Sequence, residues 1–303
     1  MKKNNKSHGP GYEVLRAIFR NKVTVVCLIV VFILVFIALT VGLFFDYDKD
    51  VISQDPLNAR QKPSAEHWFG TDDKGRDYFA RTLYATRVSL EIAVSVQILV
   101  AIVSVFIGGI SAYYGGWLDT MLMRLLDAIL AIPSALLILC IVGVFGNNIP
   151  TLIFGFLITS TPGFIRTARG AFMVSMQNEY VEAARASGTS DLKIIFGHLL
   201  PNSLGPILVT ATMGIGSVIT ATAGLGYLGL GVKLPTPDWG RMLAEAQKYM
   251  RTDLYLLLIP GIFILITATA FNLLGDGIRD AIDPRLRGFV KPKATPFWKR
   301  RAK

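Results

Sequence analysis

Residues 179–202 read EYVEAARASGTSDLKIIFGHLLPN and form a polar, helix-patterned segment between long uncharged runs. Asn178 precedes the segment as a candidate N-cap, and Glu179 suits the positive end of a helix dipole. Gly188 is able to adopt the left-handed conformation that ends a helix. A Thr-Ser pair follows it and can cap a second helix, which we expect to end at Pro201. The pattern therefore predicts two short helices joined by a turn.

The rest of the chain is strongly apolar. Of its 303 residues, 52% are hydrophobic and 17% are charged, and the mean hydropathy is +0.49. These values are typical of multi-span membrane proteins rather than soluble domains, so membrane lipid is an expected partner. The net charge of +10 lies mostly at the two ends, with no basic stripe among aromatics, so we expect no nucleic-acid partner. Cys27 and Cys140 lie in apolar runs, which predicts neither disulfides nor a cysteine metal site.

Uncharged runs predict six spans. Residues 23–45 alone reach roughly 34 Å as a helix, enough to cross a bilayer. Residues 128–165 carry no charge over a length too great for one span, so they should form two, with Pro133 kinking the first and Asp127 pairing with Arg124 just before it. The predicted fold is an all-α integral membrane protein with six transmembrane helices. The remaining spans are expected within 92–110, 206–228 and 254–275.

Three segments resemble one protein family. Glu182-Ala183-Ala184, Gly188 and Leu200-Pro201 have the spacing of the cytoplasmic signature loop of ABC importer permeases. Residues 67–77 and 272–284 resemble matching segments of the dipeptide, oligopeptide and nickel branch, in particular its C-type permease subunit. The resemblance implies a type I ABC importer permease fold. It assigns docking of the ATPase subunits to Glu182, Ala183, Ala184, Gly188, His198, Leu200 and Pro201.

The bias of basic residues predicts the orientation in the cell membrane. Most of the 31 Lys and Arg residues fall on the side shared by both termini, which is therefore expected to be cytoplasmic. Tyr113 and Tyr114 are aromatics of the kind that lie at a membrane boundary. The expected segments are a cytoplasmic N-terminus (1–22), a first span (23–45), an extracellular loop (46–87), a core of five spans (88–275) with a cytoplasmic coupling loop (166–203), and a cytoplasmic tail (276–303).

The chain carries no motif for chemistry of its own. It has no glycine-rich phosphate loop with Lys and Ser or Thr, so we expect neither nucleotide binding nor catalysis, and the family resemblance leaves ATP and Mg to separate subunits. Asp46, Asp48 and Asp50 alternate as in a calcium loop, but Val51 stands where the turn glycine belongs. No resident metal or other cofactor is therefore predicted. His198 is given no catalytic role.

The resemblance also implies a mechanism and partners. A homologous sister permease completes the pathway, two cytoplasmic ATP-binding subunits grip the signature loops, and an extracellular or periplasmic solute-binding protein delivers short peptides. Nickel or a metal chelate is the alternative solute. An intramembrane hydrolase is the alternative of another class, but it would need polar catalytic pairs in mid-span, and the spans offer only scattered polar residues. The family's pathway is lined partly by the fifth span, here at Gly214, Ser217, Thr220, Ala221 and Gly224.

Overall fold

The computed structural model describes residues 10–282 and is built from helices, with no β-strand in that range. Short π-helical turns lie at Tyr47–Ile52 and Ile194–Leu199. Turns of 3-10 helix lie at Pro56–Asn58 and Gln247–Tyr249. The α-helices are α1 (Pro10–Arg20), α2 (Lys22–Phe44), α3 (Tyr78–Tyr114), α4 (Gly116–Leu130), α5 (Ser134–Phe145), α6 (Ile149–Met176), α7 (Glu179–Ala186), α8 (Asp191–Lys193), α9 (Leu200–Tyr227), α10 (Trp239–Ala246) and α11 (Leu254–Ile282).

Five helical stretches are long and apolar enough to cross a membrane: α2, α3, α6, α11 and the continuous run Asp191–Tyr227. The pair α4 and α5, which meet at a bend of 78°, brings the number of candidate spans to six when it is counted as one broken span. Pro133 lies at that bend in an extended conformation, and its ring and missing N–H prevent a continuous helix. The predicted all-α, six-span fold and the kink at Pro133 are confirmed.

Several helices extend beyond the uncharged runs. Helix α3 has 37 residues, although only 92–110 read as a span. Its first turns carry Arg81, which is buried and donates from Nη1 to the Val51 carbonyl at 3.1 Å. Helix α6 continues through two arginines to Met176, so the polar connection after it is shorter than the expected 166–203. The expected tail from 276 begins inside α11, and its part beyond 282 lies outside the described residues, as do residues 1–9.

A network of buried ion pairs ties the loop before α3 to α10. Arg76 is 1% exposed, and its Nε lies 2.6 Å from Asp72 Oδ2 while its Nη2 lies 3.2 Å from Glu245 Oε2. Lys248 Nζ lies 2.7 Å from Asp73 Oδ2. The three carboxylates lie close enough together to suggest a cation site, but arginine and lysine already neutralise them. The cluster therefore holds the loop before α3 against α10 and the 3-10 turn that follows it.

Helix α9 packs against α3, α6, α10 and α11. A Cβ atom at Gly216 would lie 2.8 Å from the Ala268 carbonyl oxygen of α11. A Cβ atom at Gly275 of α11 would lie 2.3 Å from the Met213 side chain. The small residues of the fifth span therefore allow close helix packing, as their composition predicts.

Candidate functional site

The polar segment between α6 and α9 forms a short helix, a tight turn and a second helix. Asn178 occupies the N-cap position of α7 but does not cap it; its Nδ2 donates to the Ser175 carbonyl at 2.9 Å. The predicted Asn178 side-chain cap is therefore wrong, because the amide turns back toward the end of α6. Ser190 likewise occupies the N-cap position of α8 without a side-chain capping bond.

Apolar side chains on one face hold this segment against the bundle. Val181, Ile194, Ile195 and Leu199 are almost completely buried and belong to the main hydrophobic core. The opposite face is open, because Glu182, Ala183, Gly188 and Pro201 are exposed, whereas Ala184, His198 and Leu200 are half-buried. The predicted docking residues thus share one connected segment, and those of α7 form its most accessible part.

Gly188 makes the turn between the two helices. Its φ is +74°, the left-handed conformation expected from the sequence. Its N–H donates to the Arg185 carbonyl at 3.0 Å, and the Thr189 N–H donates to the Ala184 carbonyl at 3.1 Å, so carbonyls at the end of α7 are satisfied. A Cβ atom at Gly188 would meet nothing within 4 Å. Only the backbone conformation, and not space, therefore requires glycine.

Pro201 does not end the second helix, so the predicted helix end at Pro201 is wrong. The run from Asp191 continues through the π-helical turn Ile194–Leu199 into α9 as a single span. Pro201 lies in the first turn of α9, and the wider π turn before it accommodates the missing N–H and the ring. As a consequence, the polar segment is directly continuous with α9.

A contact that the sequence did not reveal joins this segment to α3. Tyr113 donates from its hydroxyl to Asp191 Oδ1 at 2.7 Å, and Tyr114 donates to Oδ2 at 3.2 Å. The Arg185 guanidinium lies over the Tyr113 ring, 4.9 Å from its centroid. The sequence predicts only that Tyr113 and Tyr114 lie at a membrane boundary. Their partner, Asp191, is 78 residues from Tyr113, and the sequence contains no sign of this contact. The start of α8 is therefore tied to the end of α3.

Ion pairs fix α4 to α6 close to the same end of the bundle. Arg169 binds both oxygens of Asp119 at 2.6 Å. Asp127 lies 3.7 Å from Arg124, which confirms the predicted pair, and it also accepts a hydrogen bond from Arg166. These pairs hold α4 against the second half of α6.

A cavity with a volume of about 540 Å³ lies between α3, α5, α6 and α9. Gly214, Ser217, Ala221 and Gly224 line it, as expected for the fifth span. Thr220 does not line it, and its hydroxyl donates to the Gly216 carbonyl at 3.0 Å. The lining contains hydroxyl and amide groups but no charged side chain. Its chemistry suits a polar organic solute better than a metal ion.

At the opposite end of the bundle, the loop after α9 encloses Asp238, which is 1% exposed. Its Oδ2 has no hydrogen-bond partner and packs against Gly226 and Gly231. Burial raises the pKa of Asp238 to about 6, although backbone N–H groups of Gly240 and Arg241 and the Arg241 charge act to lower it. This carboxyl group therefore titrates in the range of ordinary growth conditions.

Comparison with known families shows which family the chain belongs to. Residues 104–288 match the family model described as the binding-protein-dependent transport system inner membrane component. The chain belongs to this family. Residues 9–63 match the N-terminal transmembrane domain of oligopeptide transport permease C, so the resemblance to the peptide branch is confirmed as well. The chain is thus a permease subunit of an ABC importer, and a permease is not itself an enzyme.

The curated relatives cover nearly the whole permease. It is 38% identical over 278 residues to the dipeptide transport system permease protein DppC of Alkalihalophilus pseudofirmus, which covers 92% of this chain and 91% of that protein. It is 38% identical over 280 residues to the glutathione transport system permease protein GsiD of Escherichia coli O6:K15:H31, with 92% of each chain covered. Among solved structures, inward-facing conformations of the MetNI methionine ABC transporter match with a TM-score of 0.48 and 18% identity, covering 62% of this chain and 93% of theirs.

Proposed function

We propose that this permease imports short peptides across the cell membrane. The observation that carries the proposal is 38% identity over 92% of the chain to permeases named for dipeptide and glutathione. The cavity supports it, because its uncharged, hydroxyl-bearing lining offers hydrogen bonds without the carboxylates or imidazoles that would hold nickel. Peptide is therefore favoured over nickel or a metal chelate.

The segment 179–202 is the docking site for cytoplasmic ATPase subunits in this proposal. Its open face carries Glu182 and a low surface at Ala183, which another protein's groove can approach closely. Its buried face is continuous with α9 and tied to α3 through Asp191. ATP binding in the partner subunits would therefore move a rigid lever rather than a loose loop, and the spans would rock between inward-open and outward-open states.

The remaining partners follow from the same proposal. A homologous sister permease would complete the pathway beside the cavity. A solute-binding protein outside the membrane would deliver the peptide, and ATP with Mg would be bound by two ATPase subunits. Both termini lie in the cytoplasm, on the side of segment 179–202, as the distribution of basic residues predicts.

Reconstituted uptake tests the proposed function. The chain is purified with its sister permease, ATPase subunits and binding protein, and the complex is placed in vesicles that contain ATP. We expect ATP-dependent accumulation of labelled dipeptides or tripeptides, and none when the ATPase subunits are omitted. Accumulation of nickel without any peptide would replace the proposed solute, and peptide entry that does not require ATP would contradict the proposed mechanism.

A further inference from the structure

An amide side chain lies at the wall of the cavity with unused hydrogen-bonding capacity. Gln97 stands near the middle of α3, lines the cavity and is only 5% exposed. Its Oε1 atom is buried and has no hydrogen-bond partner. An amide carbonyl left without a partner in a low-dielectric interior is costly, so this residue would be expected only where something else supplies the bond.

Gly214 of α9 holds the amide in place. A Cβ atom at this position would lie 2.3 Å from Gln97 Nε2, 2.5 Å from Cδ and 2.6 Å from Oε1. The amide group therefore lies against the bare Cα of the glycine, and any larger residue would displace it. Both residues are near the midpoints of their helices, which places the pair at mid-depth in the bundle.

The hydroxyl groups around the cavity differ from Gln97 in one respect. Those of Thr159, Thr167, Thr210 and Ser217 donate to carbonyls of their own helices. Their donors are thus already used, whereas the buried Gln97 Oε1 has no partner. The hydroxyls of Ser134 and Ser160 also line the cavity. Gln97 is the one lining residue with a carboxamide, which combines an acceptor with two donors.

We propose that the Gln97 amide, positioned by Gly214, is the contact that hydrogen-bonds the peptide group of a solute in transit. A carboxamide offers one acceptor and two donors on a planar group, which match the N–H and C=O of a peptide bond. A contact of this kind recognises the backbone and not the side chains, so it tolerates many peptides. The inference rests on the proposed function of peptide import and adds the residue that recognises the solute.

The test uses the complete transporter in vesicles with two solutes, a dipeptide and its ester analogue, in which oxygen replaces the peptide N–H. The variant is Gln97→Met, which keeps the length and unbranched shape of the side chain. The control is Thr212→Val on α9, which is half-buried, does not line the cavity and donates to the Leu208 carbonyl. Since every variant uses the same binding protein, its own preference cancels when the dipeptide-to-ester uptake ratios are compared.

We expect Gln97→Met to lower dipeptide uptake roughly threefold to tenfold and to lower the dipeptide-to-ester ratio by a similar factor. Thermal stability should be unchanged or higher, because a buried polar group without a partner is removed. Gly214→Ala, which displaces the amide, should lower dipeptide uptake in the wild-type background and have little further effect in the Gln97→Met background. If the Met variant does not assemble, Gln97→Leu is measured in the same way.

Two results would overturn the inference while leaving peptide import intact. One is an unchanged dipeptide-to-ester ratio in Gln97→Met, whether or not total uptake falls, since a structural role would affect both solutes equally. The other is strict additivity of the Gln97→Met and Gly214→Ala effects. Absence of peptide uptake by the wild-type complex would instead overturn the proposed function itself.

Discussion

The hydroxyl of Tyr113 donates a 2.7 Å hydrogen bond to the Asp191 carboxylate, across 78 residues of sequence. Tyr113 is the penultimate residue of α3, and Asp191 is the first residue of the helical run that becomes α9. The contact joins the segment proposed to receive force to the two helices that carry Gln97 and Gly214. It is a direct contact between segment 179–202 and a helix that lines the cavity.

Tyr113→Phe should weaken this connection without loss of the fold. The contact is exposed, so the lost hydrogen bond amounts to about 0.5–1 kcal/mol, and we expect peptide uptake per ATP hydrolysed to fall roughly twofold to fivefold. Uptake and ATP hydrolysis are measured on the same reconstituted vesicles. Tyr227→Phe, an exposed tyrosine at the far end of α9, is the control. An unchanged ratio of uptake to ATP hydrolysis in Tyr113→Phe would show that the contact does not take part in coupling hydrolysis to transport.

Gly188→Val should impair coupling through the backbone alone. The position has φ +74° and open space around it, so a β-branched residue costs about 1–3 kcal/mol of backbone strain and no collision. We expect the angle between α7 and α8 to be lost, with reduced uptake but normal membrane insertion. Gly197→Ala is the control, because that glycine is exposed, lies in the π-helical turn Ile194–Leu199 without a positive φ, and an added Cβ atom would have its nearest neighbour at 3.7 Å. Equal uptake by both variants would contradict the role of the turn.

The raised pKa of Asp238 predicts that the stability of the folded protein depends on pH. Its pKa in the folded protein is raised from the unfolded value of 3.8 to about 6, so the folded state binds the proton more tightly. The resulting stabilisation, on the order of 3 kcal/mol, is fully present below about pH 4 and is lost as the pH rises through 6. Between pH 5 and pH 8, roughly 1 kcal/mol should disappear.

The measurement is the midpoint of thermal unfolding in detergent at pH 5 and pH 8. Asp238→Asn should abolish that part of the pH dependence, because the amide does not titrate in this range. Asp55→Asn removes an exposed carboxylate of the same outer region and should follow the wild-type profile. If the wild type and Asp238→Asn respond identically to pH, the buried carboxyl group is not responsible.

The orientation is tested by labelling in sealed cells. Cysteines introduced at the exposed positions Asp55 and Lys233 should react with a membrane-impermeant thiol reagent, and one at Ser190 should not. The background carries Cys140→Ser, because Cys140 is exposed, whereas Cys27 is buried. Labelling of position 190 from outside would reverse the proposed topology and separate segment 179–202 from cytoplasmic partners.

Apolar run length was sufficient to predict the spans, but not their ends. Hydropathy reports only the part of a helix that faces lipid, so the first turns of α3, where Arg81 is buried among loop residues, were read as a loop. The Asn178 cap and the stop at Pro201 failed for a different reason. Each rule considers one helix end, whereas here a neighbouring carbonyl and a π-helical turn offered alternatives.

The proximity of the residues proposed for docking was predictable because they are close in sequence. The left-handed Gly188 follows from local backbone preferences, and four of the five expected pathway positions line the cavity because they share one face of α9. The contacts of Gln97 with Gly214 and of Tyr113 with Asp191 join distant helices, and their residue types are unremarkable alone. Contacts between distant helices leave no periodic pattern of residues in the sequence, so they become visible only in the packed structure.

Photo-crosslinking from segment 179–202 tests the central claim most directly. A benzophenone amino acid replaces the exposed Ala183, and the control replaces Leu57, an exposed residue of the loop expected outside the cell. After illumination of intact membranes, we expect position 183 to yield an adduct of this chain with an ATPase subunit and position 57 to yield none. An ATPase adduct from position 57, or its absence from position 183 in an otherwise assembled complex, would contradict the account of this segment as the point where ATP hydrolysis drives the permease.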